Sequence, residues 1–179
     1  HDRGAAGEEQ VGAMLEQLTA EGWRIVHDAS FGRGNVDHIL IGPGGVFTIE
    51  TKSHPGPIRV GRVHGATLAQ ALSQQKLVAR VTDGRVQALL VYSRAWVDRP
   101  LSRRKGVRIV PARMLIRYLS ERRPILDQDE IDDLYTKLAG ALMATSERPG
   151  SRFSSGQPCP SPPSQRLRRA RPASRGGRD

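Results

Sequence analysis

The sequence predicts an α/β protein in which helices flank a mixed β-sheet. Segments with apolar residues at helical spacing alternate with short runs rich in valine and isoleucine, and turns rich in glycine and proline separate them. The run at residues 88–91 is apolar throughout, as in a strand that is covered on both faces. Over residues 1–145 the predicted order of the main elements is α-β-β-β-α-β-β-α-α, without an internal repeat.

The first helix is predicted over residues 5–21, because Val11, Leu15 and Leu18 recur at helical spacing and Gly22 is placed to end it. Three strands follow, at residues 23–27, 36–41 and 46–52. A loop rich in glycine and arginine separates the first two, and a Gly-Pro-Gly-Gly turn separates the last two. We therefore expect the second and third strands to form a hairpin.

The second half of the domain follows from the same patterns. Beyond a Pro-Gly-Pro break at residues 55–57, a short edge strand is expected at 58–60. The remaining elements are a helix at 67–82, strands at 86–92 and 107–110, a helix from Pro111 to about residue 122, and a last helix at 127–144 that Asp127 could cap.

Residues 146–179 differ from the rest of the chain in composition. They contain eight arginines against two acidic residues, and they hold six of the twelve prolines. Their larger apolar residues are little more than Phe153 and Leu167. Such a segment buries too little apolar surface to offset the cost of ordering its backbone. We therefore predict a disordered basic tail after a single domain at residues 1–145.

Two groups of basic residues are candidates for contacts with nucleic acid. They are Arg103, Arg104 and Lys105, in a predicted loop, and Arg168, Arg169 and Arg171, in the predicted tail. Either group could hold phosphate groups without reading base sequence. The alternative for both is a solvated charged segment without a dedicated partner.

The composition excludes several classes of protein. One cysteine cannot build a disulfide framework or a cysteine zinc site, and no apolar run reaches the length of about 18 residues that a transmembrane helix needs. The chain begins at His1, as a trimmed protein or a fragment would, and it has no signal-like apolar stretch. We predict a cytoplasmic protein without membrane contact, and its oligomeric state stays open.

The predicted hairpin brings two carboxylates together. Folding it symmetrically about the turn pairs residue 41 with 46 and residue 39 with 48, which places Asp37 opposite Glu50. Glu50 and Lys52 lie two residues apart and therefore share a face of the strand. A bulge of one residue would turn Asp37 to the other face.

Opposed carboxylates repel each other, and a divalent cation removes this repulsion. Oxygen ligands without histidine or cysteine suit Mg²⁺ or Mn²⁺, held here by Asp37 and Glu50. Lys52 would then lie where it can assist the attacking water or stabilise negative charge on a phosphate. The alternative is a solvated face on which Lys52 merely pairs with the acids.

Glu8 is a further candidate, on the first helix. It shares the helix face of Val11 and Leu15, so it should point towards the sheet. There it would either interact favourably with the helix dipole or join the metal site as an outer carboxylate.

Three segments together resemble the nuclease-related domain (NERD) family of the PD-(D/E)XK superfamily. They are GAAGE at residues 4–8, NVDH at 35–38 and GPGGVFTIETK at 42–52. The resemblance is best over residues 4–93, and the helical part at 111–145 completes the predicted domain. It implies a restriction-endonuclease-like fold. Val36 stands where the superfamily name has proline, but that proline is not a ligand.

The resemblance also implies roles for individual residues. Asp37 and Glu50 correspond to the metal-binding acids, Lys52 to the catalytic lysine and Glu8 to the helical acid. Gln70 and Gln74, four residues apart on the following helix, are candidates to support the site, and we favour Gln74. Gln75 lies nearer the apolar side of that helix and could be an amide at the edge of the core.

These observations predict a Mg²⁺- or Mn²⁺-dependent nuclease that hydrolyses phosphodiester bonds, with DNA as the expected substrate. The alternative is a non-catalytic module that binds nucleic acid or regulates another protein and retains the nuclease fold. An RNA substrate is less favoured, because three Phe, two Trp and three Tyr supply few side chains for base stacking.

Overall fold

The computed structural model of this chain describes residues 2–146, with side chains from Gly4 onward. The helices of this part are α1 (Asp2–Leu15), α2 (Gly65–Thr82), α3 (Ala112–Ser120) and α4 (Gln128–Ser146). The strands are β1 (Arg24–Ser30), β2 (Asn35–Gly42), β3 (Gly45–Lys52), β4 (Gly56–Ile58), β5 (Val86–Tyr92), β6 (Ala95–Val97), β7 (Arg103–Arg104) and β8 (Val107–Pro111). All but the first residue of the predicted tail lies outside the described residues.

Six strands form one mixed sheet, in the order β1-β2-β3-β5-β8-β7. The first three are antiparallel neighbours, whereas β3, β5 and β8 run parallel and β7 pairs antiparallel with β8. Parallel strands need a long connection, and α2 supplies the one from β3 to β5. The prediction of an α/β fold with a mixed sheet and flanking helices is therefore confirmed.

Helices cover both faces of the sheet. One face packs against α1 and α3 through a core that includes Leu15, Phe47 and Leu115. The other face packs against α2 and α4, where Ile39 and Ile41 of β2 meet apolar residues of both helices. Burial on both faces explains why the central strands are apolar at nearly every position. None of the helices in residues 2–146 is both long enough and apolar enough to cross a membrane.

The β2–β3 hairpin has the predicted register. Ile41 pairs with Val46, Ile39 with Thr48, and the ladder continues to His38 and Ile49 without a bulge. Glycine is required at position 42, because a Cβ atom there would overlap the indole ring of Trp23. The next pair along this register is Asp37 and Glu50.

The first helix is shorter than the sequence predicts. The α-helix ends at Leu15, and residues 16–21 form a 3-10 helix before Gly22, which adopts φ 85°. The predicted end at Gly22 is confirmed, since glycine tolerates this left-handed conformation. Asp127 caps α4 as predicted: its carboxylate accepts a hydrogen bond from the Glu130 N–H at 2.9 Å, and the Glu130 carboxylate accepts one in return.

Two predictions about short segments are wrong. The edge strand expected at 58–60 is β4, at Gly56–Ile58, and it pairs in parallel with β6 in a separate two-stranded sheet. Arg103, Arg104 and Lys105 do not form a loop, because Arg103 and Arg104 make up β7. Lys105 and Gly106, both at positive φ, form the tight turn into β8.

Candidate active site

The candidate site lies where β3 reaches its carboxyl end, next to the amino end of β2. Glu50 and Lys52 are near the end of β3. Asp37 is near the start of β2, directly before His38, which is paired with Ile49 of β3. Side-chain alternation places all three on the face that α2 covers, because Ile39 and Thr48 of the same strands lie on that face. The carboxyl ends of strands in α/β sheets are the usual location of ligand sites.

Glu50 is the most deeply buried charged residue of the site, with 2% of its surface exposed. One of its carboxylate oxygens accepts a hydrogen bond from the Lys52 ammonium group at 2.5 Å. The other accepts one from the side-chain amide of Gln74. A buried carboxylate is costly unless such donors satisfy it, so Lys52 and Gln74 together make this position possible for Glu50.

Both candidate glutamines, Gln74, which the sequence favours, and Gln70, reach the site from α2. Gln74 is buried and contacts Glu50, whereas Gln70 is exposed and its side-chain oxygen lies 3.3 Å from the Lys52 ammonium nitrogen. Gln75 instead donates its amide to the Val86 carbonyl at 2.5 Å, which is the role at the edge of the core that its position predicts. Through Gln70 and Gln74, α2 therefore contacts both Glu50 and Lys52 of β3.

Asp37 is partly buried beside this pair. Its carboxylate accepts a hydrogen bond from the Thr51 N–H at 2.8 Å. Burial raises the pKa of Asp37 to about 7, opposed by the Thr51 hydrogen bond and supported by the negative charges of Glu50 and Glu8. Asp37 is therefore partly protonated near neutral pH, mainly because it is buried, and the charges of the two neighbouring acids add to this effect.

The residues present fit a hard divalent cation. Asp37 and Glu50 supply carboxylate oxygens that retain unused lone pairs, and the buried Oε1 of Gln74 has no hydrogen-bond partner among the described residues. Within residues 4–146 no group of three or more acidic, histidine or cysteine side chains gathers as a metal site. Two carboxylates suffice for Mg²⁺, which usually keeps several waters and takes further ligands from a substrate phosphate.

Glu8 faces the sheet, as its helical spacing predicts, but it does not join the Glu50–Lys52 pair. It is half-buried and lines a cleft of about 470 Å³ with His27, Asp28 and His38. Its charge nevertheless contributes to the raised pKa of Asp37. Asp37 therefore lies within the electrostatic influence of acids on both α1 and β3.

A family comparison matches this region of the chain. The profile of the nuclease-related domain covers residues 3–94, which is just over half of the chain and includes Glu8, Asp37, Glu50, Lys52, Gln70 and Gln74. The chain belongs to the nuclease-related domain family. No curated protein sequence matches it significantly.

The nuclease-related domain is also distantly similar to solved structures. A repair endonuclease from Pyrococcus abyssi is 15% identical, with a TM-score of 0.35, over 67% of this chain and 46% of the other. EndoMS, in a structure of its complex with double-stranded DNA, is 16% identical, with a TM-score of 0.35, over 68% of this chain and 45% of the other. A protein of unknown function, AF1548, is 10% identical, with a TM-score of 0.42, over 78% of this chain and 96% of the other. The chain spans less than half of the length of the first two proteins.

The histidine pair of this nuclease-related domain was not predicted. His27 of β1 and His38 of β2 are cross-strand partners, and their Nδ1 atoms lie 2.8 Å apart. The other ring nitrogen of His27 lies 2.7 Å from the Glu16 carboxylate. Burial, followed by the neighbouring imidazole, lowers the pKa of His38 to about 4. The glycine-containing loop at residues 31–34 is the sequence signal that could have revealed this contact, because a short loop of this kind favours the pairing of β1 with β2.

Two basic cavities beside the site were also missed. One of about 550 Å³ includes Lys52, and one of about 420 Å³ includes Gln70 and Gln74 together with Arg33 and Lys76. No acidic residue lines either cavity among the described residues. Positive potential on both sides of α2 favours a polyanion at the site.

The basic residues predicted around position 104 contribute differently. The guanidinium group of Arg104 donates to the Val60 carbonyl at 2.6 Å and so ties β7 to the segment after β4. Arg103 and Lys105 are exposed. The tail residues Arg168, Arg169 and Arg171 lie outside the described residues.

Proposed function

We propose that this nuclease-related domain is a nuclease that hydrolyses phosphodiester bonds with the help of Mg²⁺ or Mn²⁺, and that its substrate is DNA. The observation that carries the proposal is the buried Glu50, held by Lys52 and Gln74 and adjacent to Asp37 on the same face. A fold selected for stability alone gains nothing from two acids in this position, whereas a cation site requires them.

Each residue has a distinct role in this proposal. Asp37 and Glu50 would hold the cation, which when bound supplies charge neutralisation at the phosphate and activation of a water molecule. Lys52 would hold a phosphate oxygen and stabilise the negative charge that develops on it. Gln74 is a positioning residue, because it orients Glu50, and Gln70 restrains Lys52.

Cleavage assays test the proposal directly. The full chain is incubated with supercoiled, linear and single-stranded DNA and with RNA, in Mg²⁺, Mn²⁺ or EDTA. We expect metal-dependent cleavage of DNA that Lys52→Ala lowers by at least about 100-fold, since one positioned charged group typically contributes 10²–10³ to such a rate. The matched control is Lys137→Ala, which removes an exposed lysine of α4 and should leave the rate unchanged. Full activity of Lys52→Ala would contradict the proposal.

The same assays test the remaining alternative, a non-catalytic module. Such a protein would bind polynucleotides with an affinity that falls steeply with salt, yet it would show no turnover with either metal. The intact set of Asp37, Glu50 and Lys52 favours the enzyme.

A further inference from the structure

A basic cavity of about 550 Å³ adjoins Lys52. Its polar lining includes Lys52, His54, Arg59, Arg62, His64 and Thr67. This volume is within the usual range for pockets that hold small ligands or parts of larger ones. Because Lys52 belongs both to this cavity and to the candidate site, a group bound here would be next to the reacting phosphate.

The charges of this cavity suit phosphate groups. Arg59 and Arg62 are exposed, and neither forms an ion pair with a described residue. Asp98 lies nearby, but it does not line the cavity, and its carboxylate accepts a hydrogen bond from the Val60 N–H at 2.9 Å. Arg59 and Arg62 are therefore available to an anion from solution.

An exposed tryptophan stands beside the same cavity. Trp96 is 56% exposed, while its neighbours Ala95 and Val97 are buried, so the indole points away from the core. In the parallel β4–β6 pair, Trp96 is directly opposite Pro57, which lines the cavity. Residues paired in this way point to the same side of a sheet. The indole therefore projects from the same side of the β4–β6 pair as Pro57.

We propose that this cavity and Trp96 bind unpaired nucleotides next to the bond that is cleaved, an inference that rests on the proposed function. Cations that follow the backbone, combined with an aromatic ring on which a base stacks, are the usual means of binding single strands. Inside a duplex both faces of each base are covered by neighbouring bases, so only an unpaired base can stack on the indole. The substrate is therefore a single strand, or a duplex with an overhang.

Binding measurements in EDTA test this inference without turnover. The full chain is titrated with a fluorescein-labelled oligothymidylate and with a blunt duplex of equal length. We expect tighter binding of the single strand, and Trp96→Ala should weaken it about 5- to 100-fold, as the loss of one base–aromatic stack does. The matched control Met143→Ala removes an apolar side chain of α4 with a similar exposure (64%) and should leave binding unchanged.

Two further measurements complete the design. Arg62→Ala should weaken binding and lower its salt dependence more than Arg113→Ala, which removes an exposed arginine of α3. In the unaltered protein, single-strand binding should quench the emission of exposed Trp96, since Trp23 is only 3% exposed. The quenching measurement uses only the unaltered protein, so it does not depend on whether a variant folds. Absence of quenching, unchanged binding by folded Trp96→Ala, or equal affinity for the blunt duplex would each overturn the inference.

Failure of this inference can be told apart from failure of the proposed function. Metal-dependent cleavage that requires Lys52 but is insensitive to Trp96 and to strandedness would overturn the nucleotide site and leave the nuclease. Selective single-strand binding that requires Trp96, without cleavage in any metal, would support the site and overturn the nuclease.

Discussion

Replacing Asp37 by asparagine should remove activity and, at alkaline pH, stabilise the metal-free protein. The substitution deletes a negative charge that lies near Glu50 and Glu8, and it keeps an oxygen that can accept the hydrogen bond from the Thr51 N–H. Cation binding would lose one of its two carboxylates. Residues that serve a cation site commonly lower the stability of the empty fold, so the two effects should have opposite signs.

The size and pH dependence of the gain follow from the pKa of Asp37, which burial raises from its usual 3.8 to about 7. Between these values the folded protein binds more protons than the unfolded chain, so its stability falls as pH rises, up to about 7. The full shift corresponds to about 4 kcal/mol. Asp37 keeps contact with solvent, so roughly half of that, about 2 kcal/mol, is the expected gain for Asp37→Asn at pH 8 relative to pH 4.

Urea denaturation in EDTA measures this gain. At pH 8 the midpoint of Asp37→Asn should exceed that of the unaltered protein by about 1 M, and the difference should shrink towards zero at pH 4. The control Asp133→Asn makes the same change in net charge at an exposed position of α4 and should show no such trend. A variant that is less stable at pH 8, or a difference that is independent of pH, would refute the reasoning.

Three other substitutions test the surroundings of the site. Gln74→Leu removes a hydrogen bond from the buried carboxylate and should cost about 1–3 kcal/mol of unfolding free energy in urea titrations, together with cleavage activity. The lowered pKa of His38 keeps it neutral in the fold between pH 6.5 and about 4, while the unfolded chain takes up a proton, so the protein loses stability as pH falls through this range. His38→Gln should reduce this loss, which is at most about 3 kcal/mol. Gly42→Ala should lower the melting temperature by several degrees, since its methyl group overlaps Trp23 and costs about 1–3 kcal/mol.

Matched variants define what would contradict these expectations. Gln70→Leu alters an exposed glutamine on the same face of α2, and a stability loss as large as that of Gln74→Leu would argue against the burial of Glu50 as the cause. Gly140→Ala adds a methyl group to α4 with no atom within 4 Å and should be neutral or stabilising. An equal loss in both glycine variants would contradict the overlap with Trp23. If His38→Gln loses as much stability between pH 6.5 and about 4 as the unaltered protein does, the titration of His38 is not the cause of that loss.

The central part of the site was predictable because it depends on local rules. The Gly-Pro-Gly-Gly turn determines the register of β2 against β3, and alternation along each strand then places Asp37, Glu50 and Lys52 on one face. Helical spacing likewise put Gln70 and Gln74 on one side of α2. These relations involve residues within one element or across one tight turn, where backbone geometry leaves few choices.

Two of the features that were wrong or missed depend on partners far away in the chain. The two-stranded sheet of β4 and β6, and the contact of Arg104 with the Val60 carbonyl, join segments whose own sequences are too short to carry a pattern. The cross-strand pair of His27 and His38 depends on the register of β1 against β2, which the glycine-containing loop at residues 31–34 does not specify by itself.

The sequence by itself determined the α/β class, the hairpin register and the face that Asp37, Glu50 and Lys52 share. Only the tertiary structure decided that α2 lies over the end of β3, which buries Glu50 under Gln74 and raises the pKa of Asp37. It also decided which basic and aromatic side chains surround Lys52. The physical reason is that periodicity and turn chemistry act over a few residues, whereas burial and charge proximity depend on how distant elements pack.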